Sequence, residues 1–306
     1  MLTGTADLMP TQSPRTGLSG CWSTVEPLAE CRAALHRRPF RITHELASHP
    51  LFTVDALIRV AQDAAKRRGD VYFDAGDVGI DDKWGHIPVP DMPVDEVLRR
   101  IEHAGAWIAL KHVNADPAYA EVLREYVGFM HNLAGENAHL LRNPEIVVFI
   151  ASPGRFTPFH FDAEVNVLAQ VHGRKSLWVC DPQDRCVVSE TDIENYYGVS
   201  ISAGRYTSYA DTVATRYDLA PGDALHIPTH GAHWVRNFDE VSVSLSFNFE
   251  LPRWANRDIF LANYYLRRLG LAPRPPGKSR LSDGMKVVAI EAARWAKGVA
   301  RRRPAI

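Results

Sequence analysis

The chain has 306 residues, 46% of them hydrophobic and 23% charged, which excludes a disordered or collagen-like protein. No stretch reaches the roughly 18 uncharged apolar residues of a membrane-spanning helix, and the first residues lack the basic-then-apolar pattern of a secretory signal. Four cysteines without a CxxC pair are too few to staple a chain of this length, so a reducing cytoplasm is the expected setting.

In chain order, residues 1–20 are polar and rich in Thr, Ser, Pro and Gly, and disorder is expected there. Leu51 to Arg67 carries apolar residues at helical spacing behind Thr53 as a cap. Val94 to His103 reads as a second helix, Ala106 to His112 as a strand, and Pro117 to Leu133 as a third helix with proline in its first turn. From residue 145 short β-branched and aromatic runs alternate with turns: EIVVFIAS, NVLAQV, SLWVC, TVATRYDL, DALHIP, HWVRN and VSVSLSFNF. Arg253 to Leu269 and Asp283 to Arg303 return to helical spacing. The expected architecture is a helical N-terminal part, a central antiparallel barrel and a helical C-terminal tail.

The net charge of −1 hides an asymmetry: from Arg253 onward there are 13 Lys or Arg and 3 Asp or Glu. A basic tail permits an anionic-lipid surface, although a solvated helix face is the commoner reason for such a surplus; no nucleic-acid partner is expected. Within the tail, Val288, Ala292, Trp295 and Val299 form a stripe that fits packing on the domain or a dimer seam better than contact with a membrane surface.

The chemistry concentrates in RFTPFHFDAEVNVLAQVHGRKSLWVCDP. His160 and Asp162 lie two apart, so an extended chain points both at one ion. A third ligand is available from His226, His230 or His233. His233, opening a strand after the turn PTHG, is the best placed and His230 the next. Two histidines and a carboxylate form the facial triad that leaves positions open at non-haem Fe(II). Lys175 follows the short loop His172-Gly173-Arg174. If that hairpin folds back on His160 to Val171, the lysine sits near the metal end and needs an anion, such as a 2-oxoglutarate carboxylate. In Val241 to Phe249 the odd positions are apolar and the even ones polar, ending at Asn248, while Asn166 shares parity with His160 and Asp162.

These residues resemble the Jumonji C, or cupin-like, Fe(II)/2-oxoglutarate dioxygenases, nearest to the asparaginyl hydroxylase branch (that of the factor inhibiting hypoxia-inducible factor). The pattern T-P-x-H-x-D, Asn four later, then L-A-Q and G-x-K appears as Thr157-Pro158, His160, Asp162, Asn166, Leu168-Ala169-Gln170, Gly173 and Lys175. The later pattern appears as Pro221-Gly222-Asp223, Leu225, Ile227-Pro228 and His233, and the closing N-F as Asn248-Phe249. The resemblance implies a mainly β fold with flanking helices, a double-stranded β-helix (jelly-roll, cupin-like barrel). The expected division is a catalytic domain over 21–252, with its barrel core at about 145–250, and a helical tail over 253–306 that is a candidate dimerisation element.

The same resemblance implies His160, Asp162 and His233 as iron ligands, Lys175 and Thr157 on the far carboxylate of 2-oxoglutarate, and Asn166 and Asn248 near its chelating end. The cosubstrates are 2-oxoglutarate and dioxygen, and the reaction is hydroxylation of a C–H bond, first of all in an amino-acid side chain of a protein or peptide. A small metabolite is the alternative substrate, and a non-catalytic ligand-binding cupin or a zinc hydrolase are the other classes. Two departures stand out. Gly231-Ala232 replaces an aromatic pair before His233, which is expected to open space beside the metal, and the strand at Ala106 to Lys111 has no tyrosine. The segment from Asp184 to Asp211, with Tyr196, Tyr197, Arg205, Tyr206 and Tyr209, reads equally as a recognition loop or as a loop packed onto the barrel.

Overall fold

A computed structural model of the chain describes residues 16–83, 86–201, 204–252 and 257–302. Its strands are β1 (Thr16–Ser19), β2 (Trp22–Thr24), β3 (Phe40–His44), β4 (Val71–Ala75), β5 (Ala106–Leu110), β6 (Arg142–Ala151) and β7 (Phe156–His160). They continue with β8 (Val165–His172), β9 (Lys175–Val179), β10 (Thr215–Leu219), β11 (Asp223–Ile227), β12 (His233–Asn237) and β13 (Ser242–Glu250). The helices are α1 (Leu28–Ala34), α2 (Val54–Ala64), α3 (Val94–Arg99), α4 (Pro117–Ala134), α5 (Glu190–Gly198), α6 (Ser208–Val213), α7 (Arg257–Arg268) and α8 (Arg280–Arg302).

The strands form two antiparallel sheets. One has nine strands in the order β1-β2-β3-β11-β8-β13-β6-β5-β4, the other four in the order β10-β9-β12-β7. Leu168, Leu225 and Ile227 of the large sheet meet Leu177, Val179 and Val235 of the small one in a single apolar cluster, which marks the barrel interior. On β13 the alternation sorts the residues by face. Val243, Leu245, Phe247 and Phe249 turn outward into a second core beneath α4, where Phe247 stacks on Tyr126 at 4.1 Å. The alternate serines therefore face the interior. A third cluster, built on Phe159, Phe161 and Trp234, covers the outer face of the small sheet beneath α5 and α6.

Local signals explain most boundaries. Thr53 accepts a hydrogen bond from the Ala56 N–H at 3.4 Å to open α2. Asp116 accepts one from Ala118 at 2.8 Å just before Pro117, and Gly135 at φ +59° ends α4.

The N-terminal part is not simply helical. It also contributes five strands to the large sheet: β5, as expected, and β1 to β4, whose three to five residues extend existing edges and carry too little alternation to be read alone. Residues 1–15 of the expected disordered segment lie outside the described residues, but Thr16–Ser19 pairs with β2. The segment from Asp184 to Asp211 contains two helices, the first opened by a capping box between Ser189 and Asp192. The first residues of the tail, 253–256, are outside the described residues. No helix among the described residues is long and apolar enough to cross a membrane.

Candidate metal centre in the barrel

Cross-strand pairing in the small sheet places the site. His233 lies opposite His160 on one side and Val179 on the other, Val235 opposite Leu177, and Asn237 opposite Lys175. Because cross-strand partners share a face, these residues form three successive rungs on the interior wall. Trp234 points outward and stacks on Trp178 at 5.9 Å. Alternation along β7 alone would put Thr157 on the opposite face from His160. The strand is bulged instead: Thr157 and His160 are three positions apart while their partners Val235 and His233 are two apart, so both face inward.

The ligand atoms of His160, Asp162 and His233 all lie within 4.8 Å of one another, and His233 Nε2 is 3.8 Å from Asp162 Oδ2. Adjacent ligands on an octahedral ion with bonds near 2.1 Å sit about 3 Å apart, so small side-chain rotations bring this set onto one ion. His160 Nδ1 is 2.7 Å from the Pro158 carbonyl and His233 Nδ1 is 2.9 Å from the Gly231 carbonyl. A carbonyl only accepts, so each Nδ1 donates and each Nε2 presents its lone pair to the centre. Burial, reinforced by the neighbouring His160 and opposed by Asp162, lowers His233 to about 4, so its ring is neutral at pH 7. The donor set fits a divalent ion that prefers imidazole and carboxylate ligands with positions left open.

The other two histidines do not join it. His226 sits on the outer face of the large sheet, its ring 4.5 Å from Phe40, and its Nε2 accepts the His36 N–H. His230 is buried beside the site as a support. Its backbone N–H donates to the Asp162 carbonyl at 2.8 Å, and its Nε2 pairs with the Tyr197 hydroxyl at 3.0 Å.

The expected hairpin at Lys175 does not form. β8 lies in the large sheet and β9 in the small one, so the loop at Gly173 crosses between sheets. Lys175 consequently enters the barrel two rungs from His233 rather than beside it. It is 6% exposed, and no carboxylate pairs with it among the described residues; burial lowers its ammonium to about 7. Asn166 and Asn248 face each other across β8 and β13. Asn166 Nδ2 donates to Ser246 Oγ at 2.9 Å, and Ser246 donates to Asn248 Oδ1 at 3.1 Å, leaving Asn166 Oδ1 buried without a partner among the described residues.

Gly231 and Ala232 sit in a close-packed turn just before His233. A side chain at Gly231 would come within 3.0 Å of the Pro228 carbonyl, and Ala232 is buried in the outer cluster. Small residues are needed there by the tight turn. Glu164 is a further group at the site: it lines a cleft with Ala163, Tyr197, Glu250 and Arg257. Burial, then the charge of Asp162, raises it to about 7. Its two-residue offset from Asp162 was the available sequence signal.

Residues 89–253 match the model of the cupin-like domain family, more than half of the chain. Human HSPB1-associated protein 1 is 29% identical over 116 residues, 35% of this chain and 24% of that protein. Lysine-specific demethylase 8 of Danio rerio is 33% identical over 105 residues, 31% of this chain and 24% of that protein. The aligned stretch thus spans about a quarter of each curated relative. The Escherichia coli ribosomal oxygenase YcfD, solved in complex with cobalt and 2-oxoglutarate, is 14% identical, with a TM-score of 0.48 over 89% of this chain and 67% of that one. The family model covers His160, Asp162, Lys175 and His233, in agreement with the motif resemblance, and this chain belongs to the cupin-like domain family.

Proposed function

We propose that the protein is an Fe(II)- and 2-oxoglutarate-dependent dioxygenase that hydroxylates an amino-acid side chain of a protein or peptide. The observation carrying this reading is the pairing of a His/Asp/His donor set with a buried lysine on the same barrel wall that has no partner among the described residues. A structural barrel has no need for either, since a buried ammonium is costly without an anion.

Iron bound there with 2-oxoglutarate and dioxygen supplies the oxidation of a C–H bond, with succinate and CO₂ formed alongside. The chain's own residues bind and orient. His160, Asp162 and His233 hold the ion on one face. Lys175 neutralises the far carboxylate of the cosubstrate, and Thr157, on the intermediate rung, donates its hydroxyl to the same group. Asn166 and Asn248 border the chelating end, and Leu177, Val179, Leu225 and Val235 keep water from the space between.

A protein substrate is supported by the cleft beside Asp162, whose Glu164, Glu250, Tyr197 and Arg257 offer polar contacts to a presented side chain. The name of the demethylase relative points the same way. Four unpaired cysteines favour a reducing cytoplasm, and the exposed apolar side of α8 favours a homodimer. The substrate class is tested by incubating the iron-loaded enzyme with cell extract under ¹⁸O₂. Label in peptides, lost in Asp162→Ala, is expected; label confined to small metabolites would overturn the protein-substrate reading.

A further inference from the structure

Lys175 does not stand alone at its end of the barrel. Its cross-strand partner Asn237 is 5% exposed, and among the described residues the side-chain Oδ1 of Asn237 is buried with no hydrogen-bond partner. Alternation along β12 puts Asn237 on the same interior face as His233 and Val235. An amide this deeply buried is normally satisfied on its polar atoms, so an orphan oxygen beside an unpaired ammonium marks a place where something polar is missing.

The protein itself does not fill it. The backbone N–H of Asn237 is used by the Arg155 carbonyl at 2.9 Å. The two terminal nitrogens of the Arg155 guanidinium are committed to Asp74 and to the carbonyls of Gly76 and Gly105. Asp218, on the strand beside β9, points outward to Ser176 and Arg216. No carboxylate therefore reaches Lys175 from within the fold among the described residues.

We propose that Asn237 is a binding residue for the far carboxylate of the cosubstrate and helps the site select a 2-oxo dicarboxylate over a 2-oxo acid ending in a methyl group. Lys175 supplies the charge to one carboxylate oxygen, and the Asn237 side-chain N–H donates to the other. The orphan Oδ1 accepts from the Lys175 ammonium, so one bound anion satisfies both side chains. The inference rests on the oxygenase reading for the identity of the anion.

The test is calorimetric binding to the Mn(II)-loaded protein, with 2-oxoglutarate and with 2-oxopentanoate, which has the same chain length and no second carboxylate. In Asn237→Leu, 2-oxoglutarate should bind about tenfold more weakly or worse, with 2-oxopentanoate unchanged. In Asn237→Asp, the new carboxylate should pair with Lys175 and abolish the preference for the dicarboxylate. Equal weakening for both ligands would show a merely structural asparagine and overturn the inference, as would unchanged 2-oxoglutarate binding in Asn237→Leu. Failure of the unaltered chain to bind 2-oxoglutarate would instead remove the oxygenase reading, and the inference with it.

Discussion

At the scale of single residues, Lys175 ties the electrostatics of the site to its ligand. Burial lowers its ammonium from 10.5 to about 7. A carboxylate beside it stabilises the charged form and raises that value, so above pH 7 ligand binding draws in a proton. Affinity for 2-oxoglutarate should therefore fall as pH rises past 7, by up to about tenfold per unit, while Lys175→Met binds weakly and without that slope. Calorimetry across pH 6.5–9 reads this directly; a flat profile in the unaltered chain would contradict it. The ligand-free chain should also gain stability as pH rises from about 7 toward 10.5, because there only the unfolded lysine holds its proton. The clustering of His160, Asp162 and His233 and the inward Lys175 were legible in the sequence because motif spacing fixes them. The inward turn of Thr157 was not, since a bulge reverses parity without changing composition, and Asn237 had no motif to announce it.

At the scale of elements, the crossing loop before β9 depends on its glycine. Gly173 has φ +69°, and a Cβ there would collide with the Val241 carbonyl. Gly173→Ala should destabilise the fold by about 2 kcal/mol, measured by urea unfolding, and weaken 2-oxoglutarate binding by misplacing Lys175. Gly128, on the exposed side of α4 with nothing near its Cβ position, is the contrasting case. Gly128→Ala should be neutral or stabilising by up to about 1 kcal/mol. The same contrast explains which elements could be read in advance. The amphipathic α2, the capped α4 and the alternating β13 announce themselves by period and cap. β7 hides behind Pro158, and β1 to β4 are too short to show a period. The loop before β9 has the sequence of a hairpin turn, since sequence neighbours usually pair, whereas here adjacent strands belong to opposite walls of the barrel.

At the scale of the molecule, contacts run from the tail to the site. On α8, Arg294 binds Asp258 of α7 at 2.7 Å; on α7, Arg267 binds the buried Glu194 of α5 at 2.5 Å. α5 then carries Tyr197 to His230, which holds the loop of Asp162. α8 uses its Ile290 and Arg294 side for this packing. The opposite side, with Leu281, Met285, Val288 and Trp295, is exposed, Trp295 at 74%. The expected stripe is thus turned away from the domain, and the side chain of Val299 is outside the described residues. If a second copy covers this face, light scattering should give a dimer mass for the unaltered chain and a monomer for Val288→Glu. A monomeric parent or a dimeric variant would contradict the seam.

An oxygenase consumes 2-oxoglutarate, whereas a ligand-binding shell leaves it intact. Succinate formation by anaerobically purified protein given Fe(II), 2-oxoglutarate, ascorbate and air, compared with His160→Ala, separates the two. Slow succinate release is expected from the unaltered chain without added substrate and none from the variant. Equal succinate from both, or no succinate together with no binding of 2-oxoglutarate, would contradict the oxygenase reading.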